Sequence, residues 1–203
     1  MKIAIIGTGN VGSALATQWA KAGHQILLGV RDDQNFKGKE LLNNPNTSCH
    51  KIPLAVEKAE AILVATPPQI ANEQAQIFGN TKGKVIIDAT NAVWQKPEPY
   101  PTAYHAFQAL TEASVVKCFN STGFENMENP FYDNIRLDMF MAGDHPHAKE
   151  VARQLSTDAG FENCYDFGGS DKVELLEQFA LSWINLAIFQ KMGRQIGFKL
   201  VMR

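Results

Sequence analysis

The stretch that most constrains this chain is its start, where Lys2-Ile3-Ala4-Ile5-Ile6 runs straight into Gly7-Thr8-Gly9-Asn10-Val11-Gly12. The apolar, β-branched run reads as a buried strand, and the small residues that follow, with Leu15, Trp19 and Ala20 at helical spacing, read as a helix. Gly-x-Gly-x-x-Gly therefore sits between a strand and a helix. Each glycine has its own task there: Gly7 makes the tight turn, Gly9 lets the backbone approach a pyrophosphate, and Gly12 lets the helix pack closely on the strand. The helix N-terminus adds free N–H groups and a positive dipole end. A glycine-rich turn without a ligand is the plainer alternative, and the flanking strand and helix argue against it. The pattern predicts a dinucleotide site at Gly7, Thr8, Gly9, Asn10, Val11 and Gly12, opening a βαβ unit.

The second strand, residues 25–29, is followed by Val30-Arg31-Asp32-Asp33. A site for NAD usually carries Asp or Glu at this strand end to bind the ribose 2′-OH, whereas a nearby Arg suits the 2′-phosphate of NADP. Val30 stands where the carboxylate would be and Arg31 comes next, so NADP is favoured over NAD. Asp32 or Asp33 would supply the carboxylate if the strand ran further, and a solvated surface role for Arg31 stays open as well.

Two more buried strands are expected at residues 61–65 and 84–89, both continuous apolar runs of the kind a sheet covered on both faces needs. In open α/β sheets ligands lie beyond the carboxyl ends of the strands. The corners Ala65-Thr66-Pro67 and Thr90-Asn91 should thus border the cofactor, with the Asn91 carboxamide suited to nicotinamide. A strand at 114–119 leads to Asn120-Ser121-Thr122-Gly123, a polar loop that is a candidate substrate site. Further on, residues 136–142 read as a strand, Asp144 as the cap of a helix reaching 159, and residues 161–167 as a last strand. The expected fold is α/β, a Rossmann-type doubly wound, mostly parallel sheet.

The tail differs in character. Leu175, Leu176, Phe179, Ala180, Trp183, Ile184, Ala187 and Ile188 follow a helical period, and Leu181, Leu186 and Phe189 widen the apolar stripe. A helix with that much apolar surface needs cover, and a second subunit is the expected one. Residues 1–168 are therefore read as the nucleotide-binding domain, and 169–203 as a C-terminal helical element at a homodimer interface.

Composition narrows the function. With 203 residues and a formal net charge of -2, the chain has no electrostatic footprint for nucleic acid or an anionic membrane. Polar interruptions at Ser182, Asn185 and Gln190 argue against a membrane span in the tail. The start shows no signal-peptide succession, so a cytoplasmic location is expected. Cys49, Cys118 and Cys164 have no paired spacing, and His145 and His147 have no further ligands near them, so neither a disulfide framework nor a metal site is expected.

Gly-Thr-Gly-Asn-Val-Gly, Gly29-Val30-Arg31, Asp88-Ala89-Thr90-Asn91, the run from Lys117 to Gly123 and a terminal helix with Met192-Gly193-Arg194 together resemble the F420-dependent NADP reductase family. The resemblance runs almost end to end, and the family is itself similar to the reductase domains of the STEAP metalloreductases. It implies that Thr8 and Arg31 hold the 2′-phosphate, that Asn91 lies by the nicotinamide, and that a second redox ring, F420 or a flavin, stacks nearby. Val30 is a departure, since the family often has Ser there. Hydride transfer between two rings demands orientation rather than an acid or base, and no catalytic residue is assigned. Two other readings remain. One is an imine or hydroxyacid reductase, for which Tyr100, Tyr104, His105 and Cys118 are the candidate proton donors; the other is a non-catalytic NADP sensor.

Overall fold

The computed structural model describes all 203 residues. Eight strands form one sheet in the order β10-β9-β6-β5-β4-β1-β2-β3, where β1 is Lys2–Ile6, β2 Gln25–Val30, β3 Thr47–Lys51, β4 Ala61–Val64, β5 Val85–Asp88, β6 Ser114–Cys118, β9 Met139–Ala142 and β10 Cys164–Asp166. The pairings from β3 across to β6 are parallel, and only β6 with β9 is antiparallel. From β1 the chain winds outward to β3, then returns to lay β4 on the other side of β1. That reversal is the switch point at which doubly wound sheets bind ligands.

Alternation along the strands builds two cores. Ile3 and Ile5 face one side of the sheet, with Leu28, Leu63, Ile87 and Val116, while Ala4 and Ile6 face the other, with Leu27, Ile62, Ile86 and Val115. Helices α1 (Asn10–Lys21) and α6 (Pro146–Asp158) cover the first face. Helices α2 (Ile52–Lys58), α3 (Ala71–Ile77), α4 (Ala103–Leu110) and α7 (Val173–Ile184) cover the second. Trp19 fastens the first layer: fully buried, it donates from Nε1 to Leu155 O at 2.8 Å and meets Phe119 edge-on. Truncating such a side chain costs about 3–5 kcal/mol.

The sequence reading needs three corrections. The stretch expected as one strand at 136–142 is split: β7 (Phe131–Tyr132) and β8 (Ile135–Arg136) make a separate hairpin, and β9 starts only at Met139. The intervening Asp138 is the reason, because its carboxylate accepts from Asn163, Lys199 and the Leu200 N–H, so it cannot serve a sheet face. Asp144 does not cap α6. The cap position is His145, and the Asp144 carboxylate instead accepts from Ser170 N–H at 2.7 Å and Gln108 Nε2 at 3.1 Å, tying the hinge before α7 to α4.

The tail is helical only as far as Phe189, ending in a π turn at Asn185–Phe189; Met192, Gly193 and Arg194 lie in irregular chain. Val173 and Leu176 of α7 join the same core as the sheet's second face. Beyond Phe189 the chain doubles back as a strap. Ile196 O accepts from Trp183 Nε1 at 2.7 Å, and Phe198 packs on Phe179 with ring centroids 4.4 Å apart. Trp183 is left 4% exposed, so this part of the apolar stripe is covered from within the chain, while Phe189 stays exposed.

Candidate nucleotide site

The carboxyl ends of β1, β2 and β4 open onto a cleft of about 640 Å³. Its floor is the glycine loop. Gly7 adopts φ +101, and a Cβ there would lie 2.5 Å from Ala65 O; Gly12 has no room because a Cβ would lie 1.9 Å from Gly7 O. At Gly9, by contrast, a Cβ would meet nothing within 4 Å of protein and would project into open space. Two glycines thus serve packing and the third leaves the approach to the backbone clear. Gly9 is the cap residue of α1 and brings no side-chain oxygen, and the helix has no acidic residue in its first turn. The first-turn N–H groups of a helix have no intrahelical acceptor, so this end suits an anion. Those features fit a dinucleotide diphosphate.

Gly7, Thr8, Gly9, Val30, Arg31, Ala65, Thr66 and Pro67, all expected from the sequence, line the cleft. Asn10, Val11 and Gly12 form the first turn of α1 behind the loop. Strand β2 runs one residue further than expected, and Val30 is buried at its end while Arg31 emerges exposed on the rim. Asp33 is directed to Lys51, at 3.6 Å. Asp32 lines the cleft, yet its Oδ1 accepts from the Gln34 N–H and so shapes the turn.

Sequence reasoning missed Asn35, Phe36 and Lys37, which close the cleft beyond Arg31, and Ile70, Glu73, Gln74 and Ile77 on the α3 side. Lys37 puts a second cation near Arg31. The signal was present in Lys37-Gly38: Gly38 has φ +82, and a Cβ there would crowd Thr8 O at 3.2 Å, so the loop is folded back over the glycine turn. Thr66 Oγ1 donates to Gln74 Oε1 at 2.9 Å, fixing the β4 corner to α3.

Thr90 and Asn91 lie outside this cleft, past the end of β5 on the same sheet edge. Asn91 Nδ2 donates to Asn120 O and Asn120 Nδ2 returns a bond to Asn91 Oδ1, both at 3.0 Å, so the two asparagines interlock. Asn120 reaches back because Phe119 turns the chain with φ +62, a left-handed conformation costly for a bulky residue, held here by packing against Trp19. Thr90 Oγ1 and Asn120 Oδ1 are buried on this corner with no hydrogen-bond partner in the chain. Ser121, Thr122 and Gly123 are differently engaged. The Ser121 hydroxyl faces Met139 sulfur, Thr122 Oγ1 accepts from Asn126, and Gly123 is pressed against Trp183, where a Cβ would sit 2.7 Å from the indole. Glu125 pairs with Arg194 of the strap, which also lies over the Phe124 and Trp183 rings.

None of Tyr100, Tyr104, His105 and Cys118 lines the cleft. Burial, and then the Asp144 carboxylate, push the Tyr104 phenol up to about 12; burial lowers His105 and raises Cys118.

Residues 2–92 match the family model described as NADP oxidoreductase, coenzyme F420-dependent. An F420-dependent NADP reductase of Methanothermobacter thermautotrophicus is 25% identical, the match covering 98% of this chain and 94% of the relative. A crystal structure from Arthrobacter sp. FB24, described as a candidate F420-dependent NADP reductase, superposes over 100% of both chains with a TM-score of 0.81 at 24% identity. An imine reductase of Streptomyces aurantiacus has the same fold at a TM-score of 0.65 and 15% identity, covering 94% of this chain and 62% of that one. No helix is long and apolar enough to cross a membrane. The glycine loop, the strand order and these matches agree: residues 2–92 resemble the F420-dependent NADP oxidoreductase family, and the similarity to the Methanothermobacter reductase extends it over nearly the whole chain.

Proposed function

We infer that this protein is an NADP-dependent oxidoreductase that passes hydride between NADP(H) and a deazaflavin of the F420 type or a flavin. The observation that carries the reading is the end of β2, where a buried Val30 replaces the ribose-binding carboxylate and Arg31 stands at the rim with Lys37 beside the same cleft. Two cations, with Asp32 of the same rim committed through Oδ1 to the Gln34 N–H, favour a 2′-phosphate over a 2′-hydroxyl. The name F420-dependent NADP reductase belongs to relatives that this chain matches over nearly their whole length, and it supports the choice of acceptor.

In this reading the α1 N-terminus and the Gly7–Gly9 backbone bind the diphosphate, Arg31, Thr8 and Lys37 take the 2′-phosphate, and Ala65, Thr66 and Pro67 border the middle of the cofactor. Nicotinamide, when bound, supplies the hydride. The chain's part at that end is to orient and to keep water out: Thr90 Oγ1 and Asn120 Oδ1, buried acceptors lacking partners, suit a carboxamide N–H. The acceptor ring is assigned to the side of the Asn120–Gly123 loop. A homodimer across the remaining exposed apolar side chains of the tail, Leu175, Ile188, Phe189 and Met192, belongs to the same proposal. Light scattering at micromolar concentration tests it, and a monomer there removes it. The function is tested by titrating the protein with NADPH and NADH, then screening F420, flavin and ferric acceptors. Tighter binding of NADPH and turnover with a deazaflavin or flavin are expected; tighter NADH binding, or reduction of imines alone, would overturn the reading.

A further inference from the structure

The two peptide groups flanking Asn91 are both held by one buried ion network. Register pairs Asp88 of β5 directly with Lys117 of β6, and both side chains turn to the face that α7 covers, where Glu177 meets them. Asp88 and Lys117 are fully buried and Glu177 is 4% exposed. Lys117 Nζ donates to Asp88 Oδ2 at 2.9 Å, Glu177 Oε1 at 2.6 Å and Thr90 O at 2.5 Å, which uses all three of its donors. The second oxygen of each carboxylate is taken as well: Asp88 Oδ1 accepts from Thr90 N–H and Glu177 Oε2 from Ala92 N–H, each at 2.9 Å.

Asn91 is therefore clamped through the Thr90 carbonyl before it and the Ala92 N–H after it. Its side chain is held by the same helix, because Asn120, its partner, also donates to Leu176 O at 3.3 Å. Burial alone would push the Lys117 ammonium down, but Asp88 and Glu177 outweigh it and hold it above the ordinary lysine value. One ammonium faces two carboxylates, each accepting a hydrogen bond at both oxygens, the pattern of the ionised form. Burial raises the Glu177 carboxyl and Asp88 adds to this, against the Lys117 ammonium and the Ala92 N–H; with Lys117 donating to both carboxylates and an N–H on each remaining oxygen, the ionised pattern gives the network one excess negative charge inside the sheet edge. Ion clusters of this kind rarely add stability over an apolar packing of equal volume, so stability is a weak reason for its presence.

We propose that Asp88, Lys117 and Glu177 form a positioning network for the nicotinamide end of the cofactor, fixing the Thr90–Ala92 corner and, by their excess negative charge, favouring the oxidised, cationic ring over the neutral reduced one. The inference rests on the cofactor reading above. Its effect is a lower reduction potential of the bound couple, visible as the ratio of the dissociation constants for NADP+ and NADPH.

Glu177→Gln keeps the shape and removes the excess charge. Its NADP+ binding should weaken relative to NADPH by on the order of tenfold, as expected for a unit charge removed from a partly shielded site, equivalent to a rise of about 30 mV for a two-electron couple. Asp88→Asn should move the ratio the same way, and Glu177→Asp, which restores the charge, should return it toward the wild-type value even if both affinities fall. Circular dichroism and thermal melting establish that each variant is folded. Equal losses for both cofactor forms, an unchanged ratio in folded Glu177→Gln, or a ratio shift in Glu177→Asp as large as in Glu177→Gln would overturn the proposal. So would failure of both charge-removing variants to fold, since the network would then serve the fold alone. A wild-type protein that binds neither NADP+ nor NADPH would instead remove the cofactor reading itself.

Discussion

The glycine cleft and the Asn91 corner occupy the same edge of one sheet and are built by opposite means. At the cleft, backbone does the work: Gly7 and Gly12 are there because a Cβ would collide, Gly9 because nothing must stand there, and the helix end offers N–H groups. Side chains at the rim, Arg31 above all, stay exposed and free to meet a ligand. At the corner nearly every polar group is already bonded, through Lys117, Asp88, Glu177, Asn91 and Asn120, which come from two strand ends, the loops beyond them and the last helix. The rim side chains and Gly9 should be tolerant in stability and sensitive in binding; the corner should be sensitive in stability first, because loss of one member leaves others buried and unpaired.

The largest effect expected is on the corner. Lys117→Met leaves two carboxylates facing each other in the interior and should cost about 3–5 kcal/mol, read as a drop in the urea midpoint. A midpoint within experimental error of wild type would mean that the corner is no more rigid than the cleft. Arg31→Ala is the matching test of the cleft. It should weaken NADPH by about 1.5–3 kcal/mol, leave NADH nearly unchanged and leave the urea midpoint where it was. Equal losses for the two cofactors would detach Arg31 from the 2′-phosphate.

A pair of substitutions within one loop sharpens the comparison further. Gly12→Ala drives a methyl group onto Gly7 O and should cost about 1–3 kcal/mol of stability by overpacking. At Gly9→Val the added Cβ meets no protein atom within 4 Å, so the fold should survive while NADPH titration shows the affinity lost. Wild-type affinity in folded Gly9→Val would place the diphosphate elsewhere.

The smallest effect concerns the hinge that leads into α7. The backbone N–H of Ser170 holds the Asp144 carboxyl below the usual aspartate value, burial opposes this, and Gln108 and His145 add to the lowering. A lowered folded value means stability that is present above the unfolded pKa, near 4, and lost as pH falls through the folded one. Because Asp144 is exposed, solvent screening keeps its share under about 1 kcal/mol. Asp144→Asn should therefore lie slightly below wild type at pH 7, with the gap between their urea midpoints closing toward pH 3. A gap that is constant with pH would leave the carboxylate's charge without a role.

What the sequence by itself determined was whatever a residue's near neighbours decide. The continuous apolar run of Ile3 to Ile6, the glycine spacing from Gly7 to Gly12 and the Val30-Arg31 step required a buried strand, a tight turn into a helix and a cationic rim, because those depend on local φ and ψ, side-chain size and the end of one strand. Tertiary structure decided the rest. Lys117 reads as a stray charge in an apolar strand until the register sets Asp88 beside it and α7 brings Glu177 across 60 residues of chain. Asp144 has the composition of a helix cap, yet Ser170 N–H is the donor that folding delivers to it. Trp183 and Phe179 belong to a stripe that needs cover, and the strap supplies part of it, Ile196 to Trp183 and Phe198 to Phe179. A local pattern records the need to bury a surface or pair a charge; which distant partner meets that need depends on strand order and on where the chain returns, and neither is written in a residue's immediate surroundings.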